Sequence, residues 1–307
     1  MRRNIGYVLV GLSGLLLAVA VLALVWAPGA VKKTPLDVDT RTLYEGEGGK
    51  IDTATGEFTI QPVYAVQETK ADSGRSSDDH VLFVETSCLV VDTGGDRVCV
   101  DGDDPDLLTA DIDVFATDRT SALGVEDENL PDEAVLHEGL VNKFPFDVEQ
   151  KTYPYWDGVV GRAVDMEYSG SETVAELETY RFEATVEDEP VEVAEGVSGT
   201  YSNVVTVNID PKTGAIVRGG QDQQRYLDDG TQVLDVDIEW TAETVQDAVD
   251  DAKANGRLLT VVLTVIPIVG FAAGAVLLLV GLLLLRRGPS GRRASSEPPG
   301  EPAKART

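Results

Sequence analysis

Two uncharged apolar runs, residues 5–26 and 258–285, bracket a long segment in which apolar and polar residues alternate. Each run is long enough to cross a bilayer, because roughly 20 residues at about 1.5 Å rise span the hydrocarbon core. Between them, period-two or β-branched patterns at 57–68, 80–91, 179–186, 202–209 and 231–240 predict strands separated by Gly, Asp and Pro turns. Asp52 to Gly56 and Asp210-Pro211-Lys212-Thr213-Gly214 share one turn chemistry, in which Asp caps and Gly supplies the left-handed conformation. Residues 70–79 and 124–133 read as loops. Over 241–255, Val245, Ala248, Val249 and Ala252 recur at helical spacing, with Gly256 as the expected stop, so a helical stalk on the membrane is predicted. The expected fold is a mainly β domain of antiparallel sheets, α+β in class, over residues 27–257, with a transmembrane helix at each end.

Charge orients this layout. Arg2 and Arg3 precede the first run; Arg286, Arg287, Arg292 and Arg293 follow the second. The positive-inside rule then puts both termini, residues 1–4 and 286–307, in the cytoplasm, and the middle segment outside the cytoplasmic membrane. The tail, rich in Pro, Ser, Arg and Lys, is expected to be disordered. Small residues at 27–30 also suit a cleaved secretory signal, but the uncharged stretch exceeds the typical 7 to 15 residues and Trp26 suits an interfacial anchor. Export follows on either reading.

The two tails hold 8 of the 25 basic residues and 2 of the 53 acidic ones, leaving 17 against 51 in the exported segment, a net of −34. A surface that negative excludes nucleic acid as a partner and disfavours docking on anionic lipid headgroups. It suits a solvated acidic surface, or a site for Ca²⁺ or a basic partner. The densest acidic run, Asp101, Asp103, Asp104 and Asp106, lacks the glycine position and terminal Glu of a calcium loop and is expected to be an ordinary loop. No metal or cofactor is implied.

The two cysteines, Cys88 and Cys99, flank Asp92-Thr93-Gly94-Gly95-Asp96, with short apolar runs on either side. That pattern predicts a hairpin that sets the thiols opposite one another, and in an oxidising compartment a disulfide. His80 and His137 are the only histidines, too few to make a zinc set with two cysteines.

The most distinctive stretch is His137-Glu138-Gly139-Leu140-Val141-Asn142-Lys143-Phe144-Pro145-Phe146-Asp147, followed by Lys151-Thr152-Tyr153-Pro154-Tyr155-Trp156-Asp157-Gly158. Five of nineteen aromatic residues fall within it, at Phe144, Phe146, Tyr153, Tyr155 and Trp156, beside Asp147 and Lys151. Such a stretch forms either a rigid core crossover, with Tyr and Trp hydrogen bonded, or a face on which flat rings stack against sugar and acyl groups of an envelope glycolipid. It resembles the central signature of an actinobacterial membrane-protein family called porin PorA, as do the Asp210 to Gly214 turn and the two-anchor layout. Asp118-Arg119-Thr120-Ser121-Ala122 departs from the family, which usually carries a glycine turn there. The resemblance implies a membrane location in a mycolate-type or related Gram-positive envelope and brings no catalytic residues.

A membrane barrel needs many strands of about ten residues with apolar outward faces, whereas these strands are interrupted by charges. Among helical routes to a channel, Gly270 and Gly274 give one close-contact spacing, but only Ser13, Thr260 and Thr264 are available to line a water path. Enzyme signatures such as the Gly-x-Ser-x-Gly elbow, phosphate loop, dinucleotide fingerprint and His-Glu-x-x-His helix do not occur. His137 and Glu138, adjacent in an extended chain, face opposite ways. The sequence therefore points to a non-enzymatic envelope protein that binds or transfers a glycolipid or assembles with membrane-protein partners; a porin or channel and an envelope hydrolase are the alternatives.

Overall fold

The computed structural model describes residues 2–286 apart from 53 and 195; Arg287, Arg292, Arg293 and the rest of the tail expected to be disordered lie outside the described residues. The chain forms two compact units, one of residues up to 28 with those from 260 on, the other Gly29–Leu259.

In the first unit, α1 (Arg2–Val25) and α4 (Ile266–Arg286) lie antiparallel, and each apolar helix is long enough to cross a membrane. Small residues set their approach. A methyl placed on Gly270 would lie 2.9 Å from Ala20 Cβ, and one on Gly274 2.9 Å from Leu17 Cδ2. The Gly-x-x-x-Gly spacing thus serves contact within the chain, where close backbones gain dispersion that apolar lipid does not supply. Ser13 Oγ donates to the Gly274 carbonyl at 2.7 Å, which engages the one aliphatic hydroxyl of α1. Gly6 meets Leu285, so Arg2, Arg3 and Arg286 share one end of the pair.

A short α2 (Ala27–Val31) leads into the second unit, whose strands are β1 (Asp39–Lys50), β2 (Gln61–Ala71), β3 (His80–Val91), β4 (Leu107–Asp118), β5 (Tyr153–Asp157), β6 (Arg162–Val174), β7 (Leu177–Ala194), β8 (Val197–Ile209), β9 (Ile216–Leu227) and β10 (Gln232–Trp240). They form one antiparallel sheet in the order β4-β3-β2-β1-β10-β9-β8-β7-β6-β5. Two meanders are joined where β1 pairs with β10. The sheet curls as a half-barrel, and the loop between β4 and β5 spans its seam. Val125 N–H donates to Ala116, Gly124 N–H to Gly139, Leu140 N–H to Pro154 and Trp156 N–H to Leu140. Both edge strands thereby gain backbone partners instead of open edges. Bulges in β4, β6, β7, β9 and β10 help to bend the strands.

Three clusters line the concave face: one holds Phe144, Met166, Phe182 and Ile209, a second Val63, Leu89, Val236 and Ile238, and a third Phe83 and Phe115. On the outer face, Val245, Ala248, Val249 and Ala252 of α3 (Ala242–Thr260) cover Val174 and Val217.

Two expectations are corrected, and one departure from the family is accommodated. The helix does not stop at Gly256: α3 runs to Thr260 and continues through a π-helical segment, Val261–Val265, into α4. No left-handed residue interrupts this stretch, a mid-helix glycine costs only about 1 kcal/mol against alanine, and its one proline, Pro267, lies directly after the π-helical segment, where the i→i−4 ladder is already shifted. Cys88 and Cys99 are disulfide-bonded with Cα atoms 5.7 Å apart, but not across a hairpin. Cys99 lies in an unpaired segment, and β3 pairs instead with β4, beyond the acidic loop. That segment covers Tyr64, Val66 and Val90 with Val100, while Tyr64 Oη donates to the Val98 carbonyl at 2.8 Å. Finally, the Asp118 turn forms without glycine. Asp118 Oδ1 accepts from the Thr120 and Ser121 amides at 3.0 and 2.6 Å, and Ala122 takes φ 61°.

Candidate functional site

One tight turn holds the aromatic stretch. Phe144 N–H donates to the Gly214 carbonyl, Asp147 N–H to Lys212 and Val148 N–H to Pro211, so residues 144–148 lie along the Asp210 to Gly214 turn. Asp210 Oδ2 caps that turn by accepting from Thr213 Oγ1 at 2.6 Å and from its amide at 3.2 Å. Gly214 is obligatory: its φ is +74°, and a methyl there would sit 2.1 Å from the Phe144 carbonyl oxygen. On the other side of the turn, a methyl on Gly256 of α3 would lie 3.6 Å from Lys212 Cδ. Lys32, at the start of this unit, forms an ion pair with Asp147, which holds a left-handed φ of 54°. One site therefore gathers the first residues of the β unit, the aromatic loop, the 210–214 turn and the last turns of α3.

The rings divide among three environments. Phe144 and Tyr153 are core residues, 0% and 7% exposed, packed around Phe182 at centroid distances of 5.0 and 5.8 Å. Tyr153 Oη accepts from the Glu149 amide at 2.9 Å. Phe146 is half-buried, and the Lys143 ammonium stands 3.8 Å from its ring centroid while donating to the Phe144 carbonyl at 3.0 Å. Burial lowers the Lys143 pKa to about 8. Asp147 and Lys151 are exposed, Lys151 pairing with Glu149. Tyr155 packs against the core cluster of Phe144 and Tyr153, whereas Trp156 leaves it for a stack of rings with the β4–β5 loop.

There Trp156 stacks on His137 at 4.5 Å and 9°, and His137 stacks on Phe115 at 4.8 Å and 22°. His137 Nε2 lies 3.3 Å from Asp113 Oδ2. Tyr155 occupies the concave side with Tyr44, Glu85 and Asp157, and burial, followed by those neighbours, pushes its hydroxyl pKa upward. Reading the sequence alone missed Lys143 and Lys32. Lys143 does carry a signal, as a basic residue set directly before Phe-Pro-Phe in a domain that is otherwise strongly acidic.

A family model, porin PorA, matches residues 5–283. The chain belongs to the porin PorA family. A porin PorA of Corynebacterium amycolatum is 22% identical over 223 residues, which cover 61% of this chain and 58% of that protein's own length. The match to the porin PorA family takes in both apolar helices and the whole β unit, including the turn that holds the aromatic loop. With two apolar helices, membership also supports membrane association.

Proposed function

We propose that this porin PorA family member is a non-enzymatic protein of the cytoplasmic membrane that binds or transfers an envelope glycolipid at the face made by Phe146, Lys143 and the Lys32–Asp147 pair. On this reading both termini are cytoplasmic and the β unit is outside. The observation that carries it is the convergence at the 210–214 turn. Lys32 follows the first apolar run closely, and Gly256 shortly precedes the second. The aromatic loop packed between them is then within reach of the bilayer surface, where a half-buried ring suits an acyl chain or the apolar face of a sugar. Lys143, with one carbonyl and one ring face for partners, retains donor capacity for a polar headgroup.

Lipid mass spectrometry of the detergent-extracted protein tests this. Wild type is expected to carry a stoichiometric envelope lipid, and Phe146→Ala to lose it while keeping its fold. A lipid-free wild type, or equal lipid in both, overturns the reading. The family's name favours a second reading, a channel, for which stepwise conductance in planar bilayers is the test. Against it stand the glycine-packed helix pair, whose Ser13 hydroxyl is engaged, and the apolar clusters packed on the concave face.

A further inference from the structure

The register of the sheet gathers polar side chains on the concave face, among its apolar clusters. Thr69 pairs with Glu85, and Glu85 with Asp113; Tyr44 lies opposite Ala65 on one side and Trp240 on the other. These positions share a face with Val63, Leu89 and Ile238, so the polar groups point the same way as the core. They interact in one network. Tyr44 Oη donates to Gln67 Oε1 at 2.8 Å, Thr69 Oγ1 donates to Glu85 Oε2 at 2.7 Å, and Glu85 is within electrostatic reach of Asp113, His137, Tyr44 and Tyr155.

Two features distinguish this region from a closed polar core. The first is unmet capacity: His137 Nδ1, on a ring only 2% exposed, has no hydrogen-bond partner, and the Tyr155 hydroxyl makes no hydrogen bond among the described residues. A buried polar group left unmatched is costly, and native structures match nearly all of them to protein, water or ligand. The second is accessible surface at depth. Tyr44, Tyr155 and Glu85 each keep accessible surface although the register points them into the curl of the sheet, on the side of its apolar clusters. Surface retained on that side opens onto space inside the curl.

We infer that this space, lined by Tyr44, Gln67, Glu85, Asp113, His137 and Tyr155, is a binding site for an uncharged polyhydroxylated ligand, a mono- or disaccharide unit. The lining decides the class. The six lining residues include two carboxylates and no Lys or Arg, and Arg225, the nearby cation on this face, is engaged by the Tyr201 ring and by Asp157, which disfavours phosphate or any other anion. The acceptors and donors would be stranded against an acyl chain. Sugar hydroxyls both donate and accept, and sugar C–H faces stack on rings such as Tyr44, whose edge contact with Trp240 has a centroid distance of 6.3 Å. Metal is disfavoured as well, since no group of three metal-ligating side chains occurs among the described residues.

The inference is independent of the lipid face, because free sugars have no acyl chain. Tryptophan fluorescence of the full chain in detergent, titrated with glucose, galactose, arabinose and maltose, tests it, since Trp240 and Trp156 adjoin the network. At least one sugar should give a saturable change with Kd on the order of 1 mM. Tyr155→Phe and Glu85→Gln, which keep ring and shape, should each weaken it about fivefold, the loss of one hydrogen bond, while the lipid that copurifies is unchanged. The inference is overturned if no sugar gives a saturable change with wild type, or if both variants, folded by circular dichroism, bind as wild type does.

Discussion

The Lys143 ammonium has a carbonyl and an aromatic face for company and no carboxylate partner among the described residues. Burial holds its pKa near 8, below the ordinary 10.5. Between those values the unfolded chain binds more protons than the folded one, so folding stability rises with pH from about 8 to 10.5 through this residue and is indifferent to it below 8. Urea midpoints across that window should rise less steeply in Lys143→Met than in wild type; parallel curves would show that the ammonium is solvated. Neighbouring rings differ as sharply. Phe144→Ala empties a fully buried position and should cost about 3 to 5 kcal/mol. Phe146→Ala, on a half-buried ring, should cost about 1 kcal/mol or less, and equal losses by denaturant titration would contradict this division. The aromatic stretch was legible as a feature because its composition is local. Its division was not, because Phe144 and Phe146 differ only in where the 210–214 turn, far away in sequence, directs them.

At the level of elements, β3 was legible to the residue because His80–Val91 is an apolar, β-branched run bounded by turn residues. β1, β4, β5, β6 and β9 were not. In β1 only Leu43 and Tyr44 are large and apolar, and in β9 polar residues occupy both faces, as in Arg218-Gly219-Gly220-Gln221-Asp222-Gln223. The same cause connects the two: where the concave face is polar, the alternation that marks a strand disappears. Pairing with neighbours then decides the element. The disulfide, by contrast, was legible from compartment and spacing while its hairpin was not, since the acidic loop delays β4 until Leu107. Changing Cys88 and Cys99 together to Ser should lower stability by about 2 to 3 kcal/mol on the chain-entropy model. It should also expose the Tyr64 side of the sheet to hydrogen exchange; unchanged protection of β2 and β3 would mean that the segment stays closed without the crosslink.

For the whole molecule, two apolar runs with outer arginines were enough to indicate a membrane protein. The chain's own fold adds that the aromatic loop, Lys32 and the end of α3 meet at one turn. If that turn faces the bilayer, reporter fusions at residue 3 and at residue 293 should both read cytoplasmic, and one within 72–79 should read external. The most direct measurement is photocrosslinking from position 146, with a benzophenone amino acid incorporated there in cells. The predicted product is a covalent adduct with a membrane lipid, absent when the same probe replaces the core residue Phe144. Crosslinks from position 146 only to protein, or equal lipid adducts from both positions, would contradict the lipid-binding face.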